Sequence, residues 1–210
     1  METLGYYLTH PQAIIYTIAS ALLYPVLVIE LIALAWCIFE AGRFSVELAM
    51  RIGRRSPDAL REAARAARSA LHAGKPDEAI GLMGAGLDHG RYGRRFTEAL
   101  DRDALTRADL VKALSDTEFE AARRLERTRM LVRLGPMLGL MGTLIPISPA
   151  LVGLARGDVQ TLADNLVIAF STTVIGLLIG GVAYVISAVR DRLYARDVSD
   201  IEYVLETMEV

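Results

Sequence analysis

Cysteine is almost missing from this chain. Cys37 stands alone inside an apolar run, which excludes an internal disulfide and marks it as a small buried side chain. Histidine is scarce too. His10, His72 and His89 are too scattered for metal-ligand spacing, so neither a metal nor a cofactor is expected. No phosphate cradle is present: "AGKPDE" contains a Gly-Lys pair but lacks the upstream glycine and the Ser/Thr that such a loop needs. G-x-S-x-G and H-E-x-x-H do not occur either, and no catalytic constellation of the usual kinds is present, so an enzyme is not expected. With a net charge of −2 and no basic patch interleaved with aromatics, no footprint for nucleic acid is present. The most informative lack is local: three long stretches have almost no charge.

What fills those stretches is apolar, within a chain that is 53% hydrophobic overall. A membrane-spanning helix needs ~20 mainly apolar residues. Residues 13–39, 134–155 and 166–189 meet that need, with Glu30 the only charge inside the first. No basic residue precedes the first run, and it is far too long for the apolar core of a signal peptide. Arginines decide the expected orientation. Arg43, Arg51, Arg54 and Arg55 follow the first span, Arg123 to Arg133 precede the second, and Arg190, Arg192 and Arg196 follow the third. Residues 1–12 have no Lys or Arg, and the loop 156–165 has only Arg156. Since arginine accumulates on the cytoplasmic side, the N-terminus is expected outside and the C-terminus inside. The expected fold is an all-α integral membrane protein with three spans, a cytoplasmic helical segment over 40–133 and a cytoplasmic C-terminal helix over 190–210.

The cytoplasmic segment reads as helices. Ser56 is an N-cap with Pro57 at the first helical position, and Gly74 is a stop signal. Another short helix starts after Pro76. Thr106 is then expected to cap a charged amphipathic helix that runs on into the second span without Gly or Pro until Gly135. The third span likewise runs on through the C-terminal residues, where the alternating charges suggest a solvated face and contacts between neighbouring helices.

Spans two and three have a second pattern. Gly135, Gly139, Gly142, Pro146, Pro149 and Gly153 recur at steps of three and four, which puts them on one side of a helix. Ala169, Thr173, Gly176, Gly180, Tyr184 and Ser187 do the same on span three. Small residues let helix backbones approach where lipid offers no hydrophobic drive, so Gly135, Gly139, Gly142, Gly176 and Gly180 are read as packing residues. Packing does not require Thr143 beside the seam, nor Ser171, Thr172 and Thr173 in a row. These hydroxyls are the candidates for an ion pathway. With no titratable group in either span, an ion passing beside them needs an acid from another chain. Glu30 is the candidate intramembrane acid of the chain itself. An acid near mid-bilayer costs ~2.5–3.5 kcal/mol on insertion scales, so it reads either as an ion-relay or partner-pairing carboxylate or as a protonated, partly snorkelled one. Pro25, five residues earlier, is a candidate kink, and Pro146 and Pro149 are candidates for a bend or an early end of span two.

"GPMLGLMGTL" (135–144) and "AFSTTVIGLLIG" (169–180) resemble the span-two and span-three motifs of the MotA/TolQ/ExbB proton-channel family. Length and span count are closer to the TolQ/ExbB branch. The resemblance implies a homopentamer in which spans two and three line a central pore. It also implies a dimer of single-span partners of the ExbD/TolR type in that pore, whose aspartate carries the proton. Carried over by position, the pore threonines are Thr143 and Thr173, which would hand on a proton and not titrate. The implied setting is the cell inner membrane, with ion flow driving movement that does work on another envelope component. Where TolQ/ExbB members usually have a glutamate, five residues before the span-three threonine, this chain has Ile168. That departure keeps open a second reading, a non-conducting membrane scaffold of the same architecture.

Overall fold

A computed structural model describes residues 11–51, 56–100 and 107–208. Over these the chain is helical, with short turns and no strand among the described residues. Thr106, expected as an N-cap, and residues 1–10 lie outside the described residues.

The first apolar run is not one uninterrupted helix. Helix α1 covers Pro11–Ala21 and α2 covers Leu23–Arg51, with a break at Leu22. Pro25 explains it. Its nitrogen carries no hydrogen for the Ala21 carbonyl, and its ring crowds that carbonyl. Leu22 N–H instead reaches both the Ile18 and Ala19 carbonyls at 3.1 Å, and Val26 N–H resumes the ladder on Leu22 at 3.0 Å.

Helix α3 spans Pro57–His72, capped by the Ser56 hydroxyl, which accepts from Ala59 N–H at 3.4 Å. It stops at Gly74 (φ +72°), where Gly74 N–H bonds Leu71 and Lys75 N–H bonds Ala70. These two bonds close the final turn and satisfy carbonyls the helix leaves open. Helix α4 spans Pro76–Leu87, and α5, Arg91–Ala99, follows at once. The segment "RYGRRFTEA" is rich in charge and contains Gly93, which hides its helix; the visible signal is the Tyr92/Phe96 pair one turn apart, both fully buried.

Helix α6 runs unbroken over Arg107–Ala155 and contains Pro136, Pro146 and Pro149. Helix α7 runs over Val159–Thr207. The connection between them is only Arg156–Asp158, so residues 159–165, assigned to a loop from the sequence, are helical. The chain reverses there because Gly157 adopts φ +76°, Gly157 N–H bonds Leu154 and Asp158 N–H bonds Gly153. Asp158 then starts the next helix by accepting from Thr161 N–H at 3.0 Å. The Thr161 hydroxyl, which donates to Asp158 Oδ2 at 2.5 Å, and then that N–H hold the exposed Asp158 carboxyl below its usual range.

Three helical stretches, Ile14–Arg51 and the apolar parts of α6 and α7, are long and apolar enough to cross a membrane. The protein is a multi-pass membrane protein. Its chain forms two compact units. One holds the described residues up to Gly42 with Thr128–Val185; the other holds those of Arg43–Arg127 and Ile186–Val210. In the first, Val26, Ala33 and Cys37 of α2 pack with Leu131 and Leu138 of α6 and Ile179 and Ala183 of α7. In the second, α3, α4 and α5 bury Ala64, Ala67, Met83, Tyr92 and Phe96 against Leu110 and Ala121 of α6 and Tyr194, Ile201 and Val204 of α7. Each large apolar side chain buried there contributes roughly 1.5–3 kcal/mol.

Candidate functional site

The membrane unit is organised by how closely α6 and α7 approach. A methyl placed on Gly135 would stand 2.6 Å from the Gly176 carbonyl oxygen and 2.7 Å from the Gly180 nitrogen. One on Gly139 would meet the Thr172 carbonyl at 3.1 Å, and one on Gly142 would meet the Thr172 side chain at 2.6 Å. One on Gly180 would meet the Pro136 ring at 2.8 Å. As numbers rise along α6 they fall along α7, so the two helices are antiparallel, with backbones touching where the glycines lie.

That approach brings Thr143 and Thr173 together, and their hydroxyls hydrogen-bond each other across the two helices. Thr143 Oγ1 also lies 2.8 Å from the Gly139 carbonyl, and Thr173 Oγ1 lies 3.1 Å from the Ala169 carbonyl. Two hydroxyl hydrogens thus face three closer bonds, and two longer ones at 3.5 Å run across the helices from Thr143 to the Ala169 carbonyl and from Thr173 to the Gly139 carbonyl. In one arrangement Thr173 donates to Thr143, which donates to Gly139. In the other Thr143 donates to Thr173, which donates to Ala169. Each hydroxyl has one hydrogen and two lone pairs, so a flip between the arrangements reverses the direction of the pair without ionising either group. Both threonines are half-buried.

The other hydroxyls lie apart. Thr172 is buried against Gly142 and donates back to the Ala169 carbonyl at 2.9 Å. Ser171 is exposed and donates to Val167 one turn back, so it does not join the pair. Pro146 is buried and Pro149 half-buried, and the helix passes both to reach Ala155. The small-residue stripe of α7 departs from the expected one at Tyr184, which is 64% exposed; Ala169, Gly176, Gly180 and Ser187 are buried as expected, and Thr172, Ile179, Ala183 and Ile186 are buried beside them. Glu30 is buried on the inward face of α2, and its Oε1 has no hydrogen-bond partner among the described residues. Near α1, a cleft of about 370 Å³ is lined by Ile15, Tyr16, Ala19 and Ser20 with Leu144, Ile145 and Ser148 of α6.

The second unit contains a charged network that the sequence reading did not single out. Arg51 makes a two-pronged bond to Asp197, 2.8 Å on each arm. Glu47 collects Arg190 Nε at 3.3 Å, the Tyr194 hydroxyl at 3.4 Å, and Arg124 and Arg51 at 3.7 Å. Tyr194 stacks edge-on against Tyr92 at 4.8 Å. Asp197 also lies against Gly90, the residue that starts α5, where any side chain would collide with its carboxylate. His89 Nε2 lies 2.9 Å from Asp200 and its Nδ1 lies 3.1 Å from the Gly86 carbonyl. Burial alone would lower Arg51, but the bond to Asp197 and the charges of Asp197 and Glu47 outweigh it and hold the guanidinium above its usual value. Burial, then the Glu47 charge, pushes the Tyr194 phenol up; burial does the same to Tyr92. The charges past the third span divide between a solvated face and helix contacts, as their alternation suggests: Arg190, Asp197 and Asp200 are buried, while Asp191, Arg192 and Arg196 are exposed. The available signal was spacing, because Arg190, Tyr194 and Asp197 share the helical stripe of Ile201 and Val204.

Comparison with known proteins gives one family. The family model described as the MotA/TolQ/ExbB proton channel family matches residues 80–203. No curated protein and no solved structure gives a significant match.

Proposed function

The chain belongs to the MotA/TolQ/ExbB proton channel family, and from that premise we propose that it is the pore-forming subunit of an ion-driven membrane motor. The observation that carries this reading is the Thr143–Thr173 hydroxyl pair, which links two helices that have no charge between residues 134–154 and 166–189. A hydroxyl pair with two donor arrangements can pass a proton on but cannot hold one as an ionised group, and spans two and three hold no acid, so in this reading the acid that titrates within the pore comes from a partner. In this reading the partner is a single-span protein of the ExbD/TolR type, bound as a dimer in the centre of a homopentamer of this chain. The N-terminus lies outside and the C-terminus inside, in the cell inner membrane, because arginine crowds the ends of all three spans on the same side. Thr143 and Thr173 line the pathway, and Gly135, Gly139, Gly142, Gly176 and Gly180 hold the two helices close enough for the pair to form. The protein is not an enzyme in this proposal and takes no cofactor.

The test is flux. The complex, purified from native membranes through a tag on this chain, is placed in liposomes carrying a pH-sensitive dye. Thr143→Val and Thr173→Val are each expected to cut proton flux by about a hundredfold or more, with the oligomer unchanged on size exclusion. Wild-type flux in both variants would remove the pathway assignment. The second reading, a non-conducting scaffold, is favoured by Ile168, which places an apolar side chain where the family usually has an acid. It predicts that the purified complex conducts no ions and has a partner helix without a membrane carboxylate.

A further inference from the structure

Glu30 is the one carboxylate in the first apolar run, residues 13–39. Val26, Ala33 and Cys37 lie on the same stripe of α2, one or two turns away, and all three are buried against α6 and α7. Glu30 is itself only 2% exposed, and its Oε1 is buried with no hydrogen-bond partner among the described residues. The stretches of α6 and α7 at this depth, residues 134–154 and 166–189, hold no basic side chain. A carboxylate in this setting is costly, and such groups in membrane spans ordinarily mark ion or proton paths.

Its depth follows from the contacts of its neighbours. The Cys37 thiol donates to the Ile179 carbonyl at 3.7 Å, and Ile179 lies against Gly135. Earlier in the chain, α1 lies beside Leu144, Ile145 and Ser148. The first span therefore runs opposite to α6, and so in the same direction as α7. Glu30 precedes Cys37 by two helical turns, a rise of ~10 Å. The same rise from Ile179 leads to Thr172, the neighbour of Thr173. Glu30 thus lies at the depth of the Thr143–Thr173 hydroxyl pair.

We propose that Glu30 is a proton-loading carboxyl within this subunit, taking up and releasing a proton at the depth where the threonine pair passes it on. The proton is the fitting ligand because it needs a single oxygen. A metal cation needs several oxygen ligands, and no group of three or more His, Cys, Asp or Glu side chains that could hold one is found among the described residues. The relay role rests on the conducting function proposed above; the existence of a protonated site does not.

Two measurements separate them. First, native membranes containing the full-length protein are treated with a hydrophobic carbodiimide, which converts protonated membrane carboxyls to stable N-acylureas. Mass spectrometry is expected to find the adduct on Glu30, absent in Glu30→Gln and undiminished by high sodium. An unlabelled Glu30 overturns the site, and protection by sodium overturns its assignment to protons. Second, flux is measured on the tagged, purified complex in liposomes. Glu30→Gln is expected to lose about a hundredfold or more of the proton flux, while Glu30→Asp keeps the oligomer and part of the flux. Full flux in Glu30→Gln overturns the relay role. If the wild-type complex carries no flux while Glu30 is labelled, the conducting function and the relay fall together, and the protonated site stands.

Discussion

Gly176→Ala tests the packing on which the threonine pair depends. A methyl at Gly176 would lie 2.5 Å from the Gly135 carbonyl oxygen, 2.8 Å from the Gly139 Cα and 2.9 Å from the Gly139 nitrogen. Ordinary contact begins near 3.4 Å, so the tightest of these is about 0.9 Å too close. All three atoms are backbone and cannot turn aside, so α6 and α7 must separate locally. Overpacking of this kind costs ~1–3 kcal/mol, and alanine's better helix propensity returns up to ~1 kcal/mol. After that gain the net loss is up to ~2 kcal/mol. Thr173 lies one turn from Gly176, and Thr143 one turn from Gly139, so the separation falls on their hydroxyl bond. Separation of the helices lengthens and weakens it. Gly181 is the control, since a methyl there meets nothing within 4 Å. Gly181→Ala is expected to leave stability and flux as they are, or to raise stability slightly. The assay is thermal unfolding of the detergent-solubilised protein, paired with liposome flux. If Gly176→Ala unfolds with Gly181→Ala and conducts like wild type, the backbone contact is not what holds the pair.

Three further perturbations probe the rest of the chain. Asp197→Asn removes the charge from a buried pair with Arg51 and is expected to cost about 3 kcal/mol; because the pair is buried, added salt should narrow the gap to wild type only slightly. Tyr92 and Tyr194 are both held above the usual phenol value, so in the folded state they keep their protons where the unfolded chain loses them. Their stabilisation is complete below about pH 10, the unfolded value, and falls as pH rises beyond it. Alkaline unfolding followed by circular dichroism should therefore begin at higher pH in Tyr194→Phe than in wild type, and an unchanged onset would refute the linkage. Gly157→Ala puts a side chain on a residue at φ +76° and is expected to cost ~1–2 kcal/mol, measured by the same thermal unfolding, with Gly157→Asn milder.

Several features were legible because one helix carries its own evidence. Ser56, Pro57 and Gly74 mark the ends of α3 through local bonds, and those bonds are the ones observed. The apolar runs identify three membrane-capable helices by length alone. The break at Leu22 was signalled by Pro25 through the missing hydrogen, though not its position. Helix α5 was hidden, since its nine residues hold only Tyr92, Phe96 and Ala99 as apolar side chains beside five polar or charged ones and Gly93.

What the sequence by itself determined is the repertoire: which segments enter a membrane, which residues are small, and that spans two and three have hydroxyls but no charge. Which of those hydroxyls meet was decided only by tertiary structure. Steps of three and four along one helix define neighbouring stripes that differ by a fraction of a turn, and the sequence does not choose between Ala183 and Tyr184 on α7. The partner helix chooses, through the direction in which its ridges cross. That choice buries Thr172 under Gly142, turns Thr173 to Thr143 and leaves Ser171 exposed. The same reason hid the network around Glu47 and Asp197. A charge on a helix looks solvated until another helix covers it, and whether one does depends on residues more than a hundred positions away.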